Sequence, residues 1–590
     1  MRLRTLLYLL ALTYESVSAR SCRCRPSDSC WPSDAEWQRL NATCNGNLRA
    51  LRPIGAVCHG SEYDPVACNA AQNGQNSSVW RTAHPAAIEW PNWEAWSEKN
   101  QFCYIDTDKS IPCGQGRVSL YSILARSPED IQAGVLFAQE HNLRVVIRNT
   151  GHDYAGRSVA PESLQINTHL MTSKTMHKNF KPTGSNGTGE GLAVTLGAGV
   201  QLYDMYKWLG EHEIMVVGGS SHGVGVTGGY VQGGGHSMFG PVRGMASDNA
   251  LEFRIVTADG KQITANAYQN SDLFWALCGG GGGTWGVVTS VTIRAFPDPP
   301  FLSIALSGQA PSGSERYWEI VEHFHSFLPR FNDAGGSMYY SLIPNDIDSA
   351  LGPVSSLHAT GGFANVSNKV AVDQLMQPFI KELSRISGTQ FNYTSKVHRS
   401  ASKMYTISHK EADLVGQNAI IGSRIITRDF LKSAKGPAKM TAALRSIRTY
   451  PGNTLLGKYA MQGYVVAGPA VRANAGRVDS ALHPVWRKAL VHFLVLRSWD
   501  NDATIEEQQT VQRNLTEVEV PILKALDPAP NGGAYLNEAD GHEEGFQDSF
   551  WGPNYPRLYR LKQKWDPKNL FIVRRGVGSE NWDAEGLCPK

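Results

Sequence analysis

From about residue 117 the apolar positions alternate between short continuous runs and helical stripes. Ser127 stands ahead of Pro128, Glu129 and Asp130, a cap, a proline and two acids suited to a first helical turn. Ile131, Val135 and Ala138 then recur at helical spacing. The run from Arg144 to Arg148 predicts a strand, and a glycine loop follows it at once. The cycle repeats with a strand over 192–196, a helix over 201–209 stopped by Gly210, and a strand over 214–217. A glycine-dense tract covers 218–240, and another, 279–283, precedes a strand over 287–294. Glycine tracts at strand ends bring backbone N–H groups close to phosphate, where a side chain would block the approach. Beyond the prolines at 297–300 glycine thins out. Apolar strands over 301–306 and 338–343 alternate with amphipathic helices such as 370–386, which predicts a separate α+β domain.

At 590 residues the chain is long enough for several domains and a large core. A net charge of +3 without a basic tract gives no reason to expect a nucleic-acid partner. Only 18% of residues are charged, while glycines number 58 and tryptophans 15, which suits a rigid, loop-rich extracellular enzyme. Residues 1–19 read as a signal peptide: Arg2 and Arg4, a short apolar run, then Val17 and Ala19 before the cut. No segment reaches the about 20 apolar residues of a membrane-spanning helix. Eight of the ten cysteines lie between Cys22 and Cys113, so a disulfide-bearing N-terminal extension is expected over 20–114. They lack the C-x-x-C pairs and nearby histidines of zinc sites, and no metal is expected. Sequons at Asn41, Asn76, Asn186, Asn365, Asn392 and Asn514 permit glycosylation.

Two literal motifs overlap in the second glycine tract. Gly223-x-Gly225-x-x-Gly228 matches a dinucleotide fingerprint, but a poor helix follows, and Asp248 precedes a strand instead of ending one. Gly219-x-Ser221-x-Gly223 matches a nucleophile elbow, again without its helix. The loop Arg148-Asn149-Thr150-Gly151-His152-Asp153-Tyr154 says more. It places a histidine where an imidazole could bond to a flavin ring, beside a phosphate-type loop whose Arg148 could offset charge.

On these residues the chain resembles the FAD-linked oxidases of the vanillyl-alcohol oxidase and p-cresol methylhydroxylase superfamily. It is most similar to the berberine bridge enzyme-like branch and to secreted isoamyl alcohol oxidase-type proteins. The tract from Thr227 through Gly228, Gly229, Gln232 and Gly233 to Gly235 resembles a second flavin-contacting motif of that family, and 270–288, ending at Val288, a third. Tyr535-Leu536-Asn537 and the stretch around Trp551–Leu558 resemble its closing segment. The resemblance implies an α+β fold: a two-part FAD-binding domain over 115–300 and 531–590, and a substrate domain with an antiparallel sheet over 301–530. It implies a covalent FAD on His152, with Arg148, Asn149, Thr150, Gly151, Asp153, His222, Thr227, Gly228, Gly229, Gln232, Gly233, Val288 and Asn537 around it. Aligned on Gly228 and Gly229, His222 stands where bicovalent members carry a cysteine, which leaves His152 as the expected single tether. The glutamate base of plant-type members has no counterpart over 456–468.

The expected reaction is oxidation of an alcohol-type substrate, with hydride passing to flavin N5 and the electrons returning to O2 as H2O2. Tyr535 is the first candidate for the base and Tyr154 the second. An ordinary tyrosine titrates near about 10, so either needs a cation, a partner base or concerted transfer. His236 is expected only to pack. The chain is expected to be secreted and monomeric, acting on a small molecule. A flavin dehydrogenase or oxidative cyclase of secondary metabolism stays open, as does a serine hydrolase using Ser221.

Overall fold

The computed structural model describes residues 22–386, 388–408, 413, 415–451 and 454–590. The signal peptide expected over residues 1–19 lies outside the described residues. Three sheets organise the described chain. The first has the order Leu48–Ala50, Tyr121–Leu124, Ser163–Asn167, Arg144–Arg148, and its last three strands are parallel. Helix Pro128–Glu140 crosses between two of them. Ser127 Oγ accepts from the Asp130 N–H at 3.3 Å, while the Asp130 carboxylate accepts from the Ser127 N–H, a reciprocal cap of about 1 kcal/mol. Ile131, Val135 and Ala138 are wholly buried against Ile123, Leu164 and Ile166. Strand Ser163–Asn167 is buried on both faces, as the middle of a parallel sheet requires.

The second sheet is antiparallel, in the order Lys174–His177, Ala193–Gly197, Val287–Pro297, Ala250–Val256, Gln262–Asn266. Ile214–Val216 pairs the far end of Val287–Pro297. The third sheet has seven antiparallel strands: Gln390–His398, Phe301–Pro311, Gly352–Ala364, Gly336–Asp348, Met461–Val465, Ala489–Arg497 and Ile420–Thr427. Helices Glu315–Asp333, Val370–Leu383 and Gly436–Ser446 bring Phe324, Leu328, Phe379 and Leu444 into the core formed with that sheet. The two-part, α+β organisation is thus present: parallel and antiparallel sheets for the cofactor, a large antiparallel sheet beside them.

Four disulfides close Cys22–Cys588, Cys24–Cys30, Cys58–Cys68 and Cys103–Cys113. Cys44 and Cys278 are buried free thiols, and burial pushes Cys44 up to about 12. The N-terminal stretch is woven into the rest: Leu48–Ala50 extends the parallel sheet, and Trp90 and Trp93 belong to the core of the large one. Among the described residues no helix is long and apolar enough to cross a membrane.

Candidate active site

Strand Arg144–Arg148 ends in the loop that carries His152. Gly151 turns that loop with φ +87°, and a Cβ there would lie 3.0 Å from the Ile88 backbone. Asp153 holds the next turn by accepting from the Ala155, Arg157 and Ser158 N–H groups. Tyr154 stacks on Trp90 at 4.6 Å, and its carbonyl accepts from Trp93 Nε1 at 2.9 Å. Behind the loop, Arg81 pairs with Glu94 at 2.5 Å, and Glu89 is fully buried. Burial pushes the Glu89 carboxyl up, against the pull of the His152, Arg81 and Arg148 charges.

His152 lines a cavity of about 410 Å³ shared by the glycine tracts, the large sheet and the closing segment. Its Nε2 is buried without a hydrogen-bond partner, 3.6 Å from Asp413 Oδ2. Asp413 also accepts from the Gly223 N–H at 2.6 Å and the His222 N–H at 3.1 Å. A Cβ on Gly282 would meet Gly229 Cα at 3.0 Å, so two tracts touch backbone to backbone on one wall. Gln232 locks them further, its carbonyl accepting from the Gly279 and Gly281 N–H groups at 3.0 Å each. Asn537 Nδ2 donates to Gly229 O and to the Tyr535 hydroxyl, both at 2.8 Å. Lys562, in helix Tyr555–Trp565, donates to Thr284 O at 2.8 Å and pairs with Asp566 at 2.7 Å, pinning the closing segment under the third tract.

On the side of the large sheet stand Tyr339, Gln462 and Tyr464, with His236 and Glu538. Glu538 lies 3.2 Å from His236 Nε2 and 2.8 Å from His492 Nε2. Burial would raise its carboxyl, but the two imidazoles outweigh burial and hold it well below the usual carboxylate range. Burial, then the Glu538 charge, push the Tyr535 phenol up. Tyr154 is raised in the same way.

A family model described as FAD binding domain matches residues 120–266, and one described as berberine and berberine like matches 534–578. An FAD-linked oxidoreductase of Arthroderma benhamiae, described as uncharacterized, is 46% identical over 99% of this chain and 99% of its own. The chain belongs to the berberine-bridge-like FAD-linked oxidoreductases. A VAO-type flavoprotein from Myceliophthora thermophila C1 has the same fold, with a TM-score of 0.85 and 35% identity over 97% of this chain and 100% of that one. A glucooligosaccharide oxidase from Acremonium strictum, described as carrying a 6-S-cysteinyl, 8α-N1-histidyl FAD, shares the fold at 18% identity and a TM-score of 0.59, covering 78% and 92% of the two chains.

In this FAD-linked oxidoreductase the cavity brings together Asn149, Thr150, Gly151, His152, Asp153, Tyr154, Gly228, Gly229, Gln232, Val288, Tyr535 and Asn537. It does not bring in Arg148, whose guanidinium donates to the Arg81 and Thr82 carbonyls and is fully buried behind the loop. The expected reach of Arg148 toward a phosphate is therefore replaced by a role in fixing residues 81–82. Thr227 is turned to the Leu196 and Gly197 carbonyls, and Gly233 and His222 lie off the wall. Ser221 sits exposed at the rim, and family membership removes the hydrolase alternative. Asp248, the acid set against the dinucleotide fingerprint, is bound by Arg487 at 2.6 Å. Asp413, His492 and Glu538 are residues that sequence reasoning missed. Glu538 stood beside Asn537, the one local hint.

The wall fits a flavin. Asn149 Oδ1, His152 Nε2 and Gln232 Oε1 are buried without hydrogen-bond partners, on the side where glycine backbone leaves room. Buried polar groups are ordinarily paired, so such a set marks where a polar ligand completes them.

Proposed function

We propose that this chain is a secreted oxidase that removes hydride from an alcohol-type substrate, with FAD covalently attached to His152. The observation that carries this is the convergence, on one cavity, of three glycine tracts, a phenol–imidazole–carboxylate group and a buried His152 nitrogen that makes no hydrogen bond. The histidyl linkage described for the Acremonium strictum oxidase supports the same position here. Four disulfides and the leader sequence support secretion.

When bound, the flavin supplies the hydride acceptor and the electron outlet to O2. Asn149, Gln232 and Asn537 orient it, and the backbone of Gly228, Gly229 and Gly282 leaves room for its approach. Tyr154 and Trp90 exclude water from one flank. Tyr535 meets the substrate hydroxyl first. Its phenol is buried and raised in proton affinity, so it is not a phenolate at rest and works with a partner base.

Mass spectrometry of the denatured, digested protein tests the attachment. The peptide bearing His152 is expected to carry the flavin mass, and His152→Ala to release all flavin on denaturation. A flavin-free peptide from yellow protein would remove the covalent link. H2O2 release under air separates the oxidase from a dehydrogenase or cyclase, in which anaerobic bleaching would occur without peroxide.

A further inference from the structure

The two nitrogens of the His152 ring have different surroundings. Nε2 is covered, and a Cβ on Gly223 would fall 2.6 Å from it, so the Gly223 backbone closes that edge of the ring. The Asp413 carboxylate stands at the same edge, with Oδ2 3.6 Å from Nε2. Nδ1 also lacks a hydrogen-bond partner among the described residues, but it keeps accessible surface, and the residue lines the cavity. A carbon partner for this histidine has room at Nδ1 and none at Nε2.

Asp413 is fixed in place at that edge. It lies between helix Ala401–Ser408 and strand Ile420–Thr427, far along the chain from residue 152. Ser78 anchors its backbone twice: Ser78 Oγ accepts from the Asp413 N–H at 2.9 Å, and the Ser78 N–H donates to the Asp413 carbonyl at 3.2 Å. Two more N–H groups aim the carboxylate, His222 donating to Oδ1 at 3.1 Å and Gly223 to Oδ2 at 2.6 Å. Glu89 is the other carboxyl that feels the His152 charge, yet burial pushes it up, and its Oε1 already accepts from Thr82 Oγ1 at 3.0 Å. Asp413 is left as the anion for the imidazole.

We infer that Asp413 is the positioning residue for covalent attachment of the flavin, holding the His152 proton on Nε2 and so leaving the lone pair on Nδ1 to form the bond. The inference rests on the covalent-flavin reading above. A carboxylate only accepts, so the ring nitrogen facing it carries the proton. The Nδ1 lone pair forms a C–N bond to the 8α-methyl carbon of the flavin. One methyl C–H bond and the Nε2 N–H bond break, two protons and two electrons leave, and O2 takes them up as H2O2. Positive charge builds on the ring as the lone pair is committed, and Asp413 offsets it until the Nε2 proton departs.

The test is the fraction of bound flavin that stays with acid-precipitated holoenzyme, with the bonded nitrogen read by NMR of the isolated flavin peptide. The unmodified protein is expected to keep its flavin through Nδ1. Asp413→Asn, which removes the charge and keeps the shape, is expected to bind FAD yet release most of it on precipitation. Its attachment during incubation with FAD in air should be about 10²–10³-fold slower. Asp413→Glu, which restores the charge, should retain more flavin than Asp413→Asn. Attachment in Asp413→Asn at the unmodified rate overturns the inference alone. Equal loss in the two variants makes space and not charge the cause, and overturns it too. A yellow unmodified protein that releases all its flavin overturns the covalent reading and this inference with it. Where the Asp413 variants do not bind FAD, the peptide from unmodified protein decides: a bond at Nδ1 upholds the inference, and a bond at Nε2 overturns it.

Discussion

A Cβ built on Gly223 would fall 2.6 Å from His152 Nε2 and 2.8 Å from Ser78 Oγ. His152 therefore keeps its place only because residue 223 has no side chain. Gly223→Ala is expected to displace the imidazole, at a cost of about 1–3 kcal/mol for overpacking. The fraction of flavin retained on denatured protein should fall sharply, while the yellow colour of native protein survives. An unchanged retained fraction would show that the ring has room to yield. At this scale the sequence was partly legible. His152 stood out because a histidine in a glycine loop at a strand end has few structural uses. Gly223 was seen only as part of two accidental motifs, since its true neighbours, Ser78 and His152, are far away along the chain.

Helix Tyr555–Trp565 buries Lys562, whose ammonium meets Thr284 O, Phe571 O and the Asp566 carboxylate and is almost wholly covered. Burial lowers its proton affinity, and Asp566 opposes that. Lys562→Met would leave Asp566 buried without its cation, a loss of about 3–5 kcal/mol in stability. Chemical denaturation should show the lower midpoint, and full stability in the variant would contradict the pin. Strands and helices flanking the glycine tracts were legible, because period and cap agreed: helix Pro128–Glu140 starts after Ser127, as its capping pattern requires. His492 was not. Strand Ala489–Arg497 is buried at every position, so no alternation marks which face meets a site. Gln462 and Tyr464 were hidden for a related reason: their strand, Met461–Val465, reads as ordinary core beside a Gly468 turn.

Across the whole molecule, burial keeps several imidazoles neutral. His325 and His483 are both lowered to about 4, first by loss of water and only partly restored by carbonyls nearby. Unfolded, each would bind a proton below about 6.5. Between there and about 4 the unfolded chain binds more protons than the folded one, so stability falls as pH falls. Each contributes a slope of up to about 1.4 kcal/mol per pH unit. Thermal unfolding midpoints should drop over that window, and His325→Gln should flatten the drop by one proton's share. A parallel drop in that variant would place the lability elsewhere. The cavity belongs to this scale as well. Trp90, the loop at 149–154, parts of the second and third glycine tracts, Tyr339, Gln462, Tyr464 and the pair Asn537 and Glu538 beside Tyr535 all reach it, and no local pattern in a sequence encodes such an assembly.

The bond between Cys22 and Cys588 joins the two ends of the described chain. Topologically the chain between them is a closed ring, not a string. A protease that nicks one surface loop leaves a single covalent body, its cofactor walls still tethered from both directions. Outside the local loops that the three short disulfides span, two cuts are needed before a piece can leave. Where a protease does reach the chain, that clasp turns the first injury into a survivable one.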